Sequence, residues 1–491
     1  MNIKHSVMHS IKWSAGSLYA GQLITWALTI YVMRLLKPSD YGLVAMAGVF
    51  ISFAMLLSEF GIGPALIQAE DLDSNKLRQS LSVIIVVCTA LSLVTFLSAP
   101  FIVTLYNEPK LSGLVKLMSL QFIVLIFSTI PRALIVKKLR FKVLSFIDLT
   151  SAISGGIITL VFALYGLGAT SLVLGSLGIL IVRAIGVNLA EPISYRPILA
   201  MRDIRGLIRY GERVTTSRVL WFFYTSADIL IVGKVLGKDM LGYYSIAAQL
   251  ASIPLDKTSA ILSQVALPAY SKLQNERELA TRYFIKAVRV VAFLFIPLLW
   301  GMSSVGRELF AIFLGSRWEM AVPSFQLIAM IIPIRMLSTL MTPLLDGLGR
   351  PDLTVKNLTT ACLVMPLAFF LGTHYGIVGV STAWVVFFPT VFIYNAHRSL
   401  PAVGLRAKEI LHATKKILLS GAIMYIAVSA VERYGFSFLN RYLATSLYIS
   451  IGVGVYFGMS RWINEDGLRE VLSLLNPKKI IPPGVTEELN P

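Results

Sequence analysis

Only two cysteines occur in 491 residues, Cys88 and Cys362, and both fall inside apolar runs. They give no disulfide framework and no metal-ligand spacing. His5 and His9 stand one helical turn apart, but two ligands on a terminal segment make a poor metal site. Charge is scarce as well: charged residues are 14% of the chain and apolar residues 56%, with a mean hydropathy of +0.74. A soluble protein of this length needs far more charge to cover its surface. The sequence also lacks a phosphate-cradling glycine loop, a Walker sequence and a nucleophile elbow, so transport driven by its own ATP hydrolysis is not expected. Every loop is short, leaving no room for a soluble catalytic domain. No catalytic residue, metal or cofactor is expected, and the chain is not read as an enzyme.

Apolar runs of about 20 residues, enough to cross a bilayer, recur along nearly the whole chain. They fall near 13–34, 41–62, 80–105, 114–136, 144–166, 169–190, 214–236, 241–268, 284–306, 320–345, 355–374, 377–399, 414–431 and 443–462. The runs are continuous rather than alternating, which excludes a closed barrel. The expectation is an all-α polytopic membrane protein of about fourteen transmembrane helices. The first run is too long for a signal-peptide core and no small-residue cleavage site follows it, so it is read as a retained span.

The net charge of +18 raises a nucleic-acid partner, and its distribution argues against one. With the N-terminus in the cytoplasm, even-numbered connections carry the basic clusters: "KKLRFK" from Lys137; Arg196, Arg202, Arg205, Arg209 and Arg213; Lys272, Arg277, Arg282 and Lys286; Arg398, Arg406, Lys408, Lys415 and Lys416. Odd-numbered connections hold two basic residues each at most. This is the positive-inside asymmetry. It places both termini in the cytoplasm and explains the basic excess without nucleic acid.

At an offset of 200, Thr25–Gly48 and Thr225–Ala248 match at Thr25, Ala27, Val32, Leu36, Gly42 and Ala47. Chance identity in apolar sequence is one explanation. The other is a parallel repeat of six spans, which returns the chain to the same membrane face. The repeat reading gives an N-terminal six-helix lobe over 1–190, a linker over 191–213, a second six-helix lobe over 214–400, two additional helices over 401–462 and a cytoplasmic tail over 463–491. In the linker, Ile204, Leu207 and Ile208 share one helical face and Arg202, Arg205 and Arg209 another. That suits a helix lying in the cytoplasmic interface against anionic headgroups; an ordinary basic loop fits equally.

A charge at the bilayer centre costs about 2.5–3.5 kcal/mol on insertion scales, so intramembrane charges should face the bundle interior, pair or snorkel. Basic residues inside predicted spans are Arg132, Arg183, Arg218, Lys257, Arg289 and Arg335; acidic ones are Glu59, Asp148, Asp228 and Asp256. Arg132, Arg218, Arg289, Glu59 and Asp148 stand within a turn or so of a cytoplasmic helix end, where snorkelling is available. Arg183 is deeper, and Asp228, Lys257 and Arg335 are near mid-span. Prolines at 100, 131, 254, 297, 333, 343, 366 and 389 fall inside spans and remove backbone donors. A cationic interior without an aqueous domain points to a transporter of an anionic substrate, most simply a phosphate.

The motifs "KWSA" at Lys12, "LLKPSDYGLVAMA" at Leu35, "EFGIGPALIQ" at Glu59, "PRALIVKKLRF" at Pro131, "ADILIVGKVLG" at Ala227, "PAYSKLQ" at Pro268 and "DGLGRPDL" at Asp346 stand in the order of a known family. The sequence resembles the Wzx-type flippases, colanic-acid-exporter-like, of the polysaccharide-transport branch of the multidrug/oligosaccharidyl-lipid/polysaccharide superfamily. The resemblance implies two six-helix lobes around a cavity, plus two helices, in a bacterial cytoplasmic (inner) membrane. It implies alternating access carrying an undecaprenyl-diphosphate-linked oligosaccharide to the outer leaflet in exopolysaccharide, O-antigen or capsule assembly. A proton or sodium gradient would drive it, with membrane lipids and polysaccharide polymerase or assembly proteins as further partners. Lys257 matches a basic family position; Arg218, Arg183 and Arg335 join it as expected diphosphate contacts. Asp228 and Glu59 are the expected cation-coupling acids. The alternatives are a multidrug or metabolite exporter of the same superfamily, which should have an acidic interior, and a membrane polymerase or ligase, which needs a larger outer loop.

Overall fold

The computed structural model describes residues 21–58, 63, 66–67, 73–193, 196–198, 205–434 and 440–474, with backbone alone over 205–218, 260–265, 466 and 472–474. Among the described residues every regular element is helical. In chain order they are α1 (21–35), α2 (Pro38–Ser58), α3 (Ser74–Tyr106), α4 (Leu111–Lys137), α5 (Phe141–Leu164) and α6 (Ala169–Ala190). The run Arg205–Lys272 is broken at Gly237 into α7 (205–236) and α8 (238–272). Then come α9 (Arg277–Ser304), α10 (Gly306–Phe313), α11 (Val322–Gly347), α12 (Pro351–Gly372), α13 (Gly376–Ser399), α14 (Ala407–Tyr434), α15 (Arg441–Ile463) and α16 (Glu465–Leu474).

Eleven described segments are long and apolar enough to cross a membrane. Two of them are double. Val219–Ser259 contains the break at Gly237, and Pro351–Val403 contains the 3-10 turn Thr373–Tyr375 between α12 and α13. Dividing those two and adding α1 is compatible with the fourteen expected spans. Several helices outrun their apolar cores: α3 begins at Ser74 and α14 at Ala407, because polar first turns still satisfy backbone groups by helical hydrogen bonds outside lipid. Asp73 caps α3 by accepting from the Lys76 amide at 2.7 Å. The helices run on through all eight prolines expected inside spans. Two short elements had no apolar run to announce them: α10 with its 3-10 turn Ser316–Ala321, which buries Trp318, and the terminal α16.

The chain divides into two units, Met1–Ser245 and Ile246–Pro491. In the first, α5 packs along α6, α3 along α4, and α4 along α6. Small residues allow this closeness: a Cβ at Gly155 would overlap Ile179, and one at Gly175 would overlap the Thr159 hydroxyl. Asp40 ties two turns together, accepting from the Lys37 amide at 3.0 Å and from the Ala169 amide at 3.1 Å at the start of α6. Most of the linker 191–213 lies outside the described side chains. Within it, 196–198 is fastened to α3: the Arg78 Nε donates to the Arg196 carbonyl at 3.0 Å and the Ser82 hydroxyl to the Ile198 carbonyl at 2.8 Å.

In the second unit α9 packs against α11 and α14, α12 along α13, and α14 along α15. Its core is aromatic at the α12–α13 contact, where the Phe369 and Trp384 rings lie 4.9 Å apart. Arg289 of α9 reaches Glu470 of α16 at 2.7 Å, so this near-terminal charge is paired rather than aimed inward.

Candidate functional site

Among the described residues, three sets of polar groups within the spans contain the expected charged positions, two in the first unit and one in the second. In the first set, α4, α5 and α6 converge on one carboxylate. Arg132 Nη1 donates to Asp148 Oδ1 at 3.1 Å, and Arg183 Nε lies 2.9 Å from the same oxygen. The Arg183 contact is an ion pair only: its Nε is shut off from solvent and makes no aligned hydrogen bond. The three side chains are 41%, 36% and 30% exposed.

That exposure is not toward lipid. Beyond its first residue, Phe141, which is exposed on the other side, α5 carries its exposed apolar residues Phe146, Ile157, Val161 and Leu164 in one stripe, and on α6 Ile181, Ile185 and Leu189 form another. At about 100° per residue, Asp148 and Arg183 project from the opposite sides of their helices. They therefore face away from the lipid stripe and remain accessible. Two arginines against one carboxylate leave the cluster with a net positive charge.

A second set is built by the α7–α8 hairpin. Gly237 has φ +80° and ψ 179°, a conformation suited to glycine, and turns the chain in one residue. Residues at similar distances on either side then meet. Asp228, 6% exposed, accepts a hydrogen bond from the hydroxyl of the fully buried Tyr244 at 2.7 Å. The hairpin is anchored to the α3–α4 turn, where Lys234 Nζ donates to the Leu105 carbonyl and Lys238 Nζ to Glu108 Oε1 at 2.7 Å.

The third set belongs to α8, α11 and α13. Arg335 stacks its guanidinium over the Trp384 ring, 4.2 Å from the centroid. Asp256 lies within electrostatic reach of Arg335 and of its neighbour Lys257. Asp256 and Lys257 are exposed, while Arg335 is half-buried. Again two cations accompany one carboxylate.

Of the expected site residues, the structure brings Arg183 to Asp148 and Arg335 near Asp256 and Lys257. Asp228 accepts from Tyr244 and from the Ile229 amide. Glu59 and the Arg218 side chain lie outside the described residues. The sequence reading missed Tyr244 and Trp384 as partners. The hairpin turn at Gly237 is the signal that pairs Tyr244 with Asp228; nothing local points to Trp384.

Beyond the α4–α6 cluster lies a basic rim. Glu191 accepts from Lys138 at 2.6 Å and from Arg140 at 2.7 Å. The Lys138 hydrogen bond, then its charge and the Arg140 contact, hold this carboxyl below the usual carboxylate range against the opposing effect of burial. Among the described residues no group of three or more His, Cys, Asp or Glu side chains could hold a metal.

A family model described as "Polysaccharide biosynthesis protein" matches residues 31–323. The lipopolysaccharide biosynthesis protein WzxC of Escherichia coli (strain K12) is 26% identical over 393 residues, 79% of this chain and 79% of that protein. Among solved structures, the lipid II flippase MurJ in an inward closed conformation is similar with a TM-score of 0.70 at 16% identity, covering 91% of this chain and 99% of that one. An inward-facing multidrug resistance MATE family transporter of the MOP superfamily is similar with a TM-score of 0.57 at 13% identity, covering 85% and 96%. At these identities the two structural likenesses concern the fold.

Proposed function

Because the chain belongs to the polysaccharide biosynthesis protein family, we propose that it is a flippase for a lipid-linked oligosaccharide, carrying an undecaprenyl-diphosphate-linked unit from the cytoplasmic to the outer leaflet. The observation that carries this reading is the sign of the interior. In the first unit two arginines contact the Asp148 carboxylate, and in the second Arg335 and Lys257 act electrostatically on Asp256. A net positive site suits a diphosphate, which guanidinium groups bind through paired hydrogen bonds. A multidrug exporter of cationic compounds would need the opposite sign.

In this reading the protein sits in the bacterial inner membrane with both termini in the cytoplasm, and it works by alternating access of two six-span lobes over 1–190 and 214–400. Lys257, Arg335, Arg183 and Arg218 contact the diphosphate, and the sugars cross beside them. Asp228 is the acid coupled to a proton or sodium gradient. A buried carboxylate suits that role, because binding a cation removes a charge from a poorly solvated place. Glu59 is a second coupling candidate from sequence alone. Units delivered to the outer leaflet pass to polymerase and assembly proteins.

The test is polymer export in cells carrying Lys257→Ala. Export should be lost while the protein inserts at normal levels. Full export by that variant would remove Lys257 from the site.

A further inference from the structure

Two arginines on different helices grip a single carboxylate oxygen of Asp148, and one of them grips it badly. Arg132 makes a hydrogen bond at 3.1 Å, whereas Arg183 Nε, 2.9 Å away and closed off from solvent, is aimed off the oxygen. A buried donor without an aligned acceptor is destabilising. A better-placed anion with several oxygens relieves that defect, and a diphosphate has both the oxygens and the larger charge. Guanidinium recognises carboxylate and phosphate by the same planar fork. What now holds the two arginines therefore has the chemistry of what could replace it.

We propose that Asp148 is a stand-in anion: it holds Arg132 and Arg183 in position in the unloaded protein and yields them to a phosphate of an arriving polyprenyl diphosphate. This rests on the flippase reading and assigns Asp148 and Arg132 to it as well as Arg183. The placement fits a first contact. Arg132 stands five residues before the end of α4, Asp148 seven after the start of α5, and Arg183 seven before the end of α6. At about 1.5 Å per residue the cluster is about 8–11 Å inside those helix ends. The same ends carry the basic rim of Lys137, Lys138, Arg140 and Lys142, which attracts polyanions over a longer range. All three side chains are accessible, and Asp148 and Arg183 stand opposite the exposed apolar stripes of their helices. Removing the carboxylate has a consequence that a purely structural ion pair does not: binding tightens and release slows.

The test is calorimetric binding of a short-chain polyprenyl diphosphate, and separately of phosphatidylglycerol, to the full chain in detergent. Asp148→Asn should bind the diphosphate about tenfold tighter and leave phosphatidylglycerol binding unchanged. In vesicles the same variant should turn over more slowly than the wild type. If two unneutralised arginines prevent folding, the double variant Arg132→Gln with Asp148→Asn restores the charge count. That double variant frees Arg183 and should bind the diphosphate more tightly than Arg132→Gln alone, in which Asp148 still holds Arg183. Binding no tighter in a folded variant overturns the proposal, as does equal tightening toward phosphatidylglycerol, which would mark a general headgroup site. A wild type that binds no polyprenyl diphosphate overturns the flippase reading itself. A binding wild type with unmoved variants overturns only the role of Asp148.

Discussion

Gly42 and Gly242 meet each other's turn: a Cβ on Gly42 would overlap the backbone carbonyl of Lys238, and a Cβ on Gly242 would overlap that of Pro38. The four positions form two pairs at the same offset of 200 in the chain. The contact is therefore reciprocal, as in a two-fold interface where each side offers the same patch. The matching glycines of the weak repeat thus touch one another.

Replacing either glycine by alanine drives a methyl group into a carbonyl that belongs to a helix end and has little room to retreat. Each single substitution should cost about 1–3 kcal/mol, the usual range for overpacking. Reciprocity further predicts similar losses at the two positions. Thermal unfolding of Gly42→Ala and Gly242→Ala in detergent measures both. A large loss at one position with none at the other contradicts the reciprocal contact.

The pair Asp228 and Tyr244 yields a prediction about energy coupling. Tyr244→Phe removes a hydrogen bond to a buried carboxylate and should cost about 1.5–3 kcal/mol of stability if that group is charged. Asp228→Asn keeps the size and a hydrogen-bonding oxygen but abolishes the charge change. It should remove the response of transport to an imposed proton or sodium gradient while substrate still binds. Gradient-driven transport at wild-type rate in that variant contradicts the coupling role.

Glu191 gives a pH signature. Its carboxyl is held low, chiefly by the hydrogen bond from Lys138. A depressed folded-state pKa contributes stability that is present above the unfolded value, about 4.3, and is lost as pH falls through the lower folded value. Glu191→Gln should therefore be less stable than wild type at pH 7, with the gap closing below about pH 4. The contacts lie at a half-open rim, so the gap should be small and shrink with salt. Melting curves at pH 3.5 and 7, each at low and high salt, check this. A gap that widens in acid contradicts it.

Trp384 tests how Arg335 is held. The ring covers one guanidinium face at 4.2 Å. Trp384→Leu should weaken diphosphate binding about threefold to thirtyfold, the range of a partly desolvated cation–π contact. Arg335→Lys should lose less than Arg335→Ala, because charge survives and the planar stack does not. Equal losses for all three would place Arg335 in a structural role.

The spans were legible because lipid imposes one rule on every crossing helix: apolar side chains and internally bonded backbone. That rule leaves a trace in each segment by itself, even through the prolines. It says nothing about which interior charges meet. Asp148 reads alone as an acid near a helix end, and its two arginines lie on neighbouring helices. Trp384 reads as one more apolar residue, since stacking on Arg335 requires α11 and α13 to pack. Asp228 and Tyr244 were closer to legible: a glycine between two apolar runs implies a tight hairpin, and a hairpin pairs residues about its turn. The short α10 and α16 escaped because neither has the length of a span.

The most direct measurement follows a fluorescent, diphosphate-linked oligosaccharide on a polyprenyl chain in vesicles containing the purified protein. An impermeant quencher reports how much of it is exposed on the outside. The flippase reading predicts protein-dependent leaflet exchange, faster with an imposed proton or sodium gradient and reduced to the protein-free rate by Lys257→Ala at equal reconstitution. Exchange no faster than in protein-free vesicles, or a Lys257→Ala variant that exchanges as fast as wild type, contradicts it.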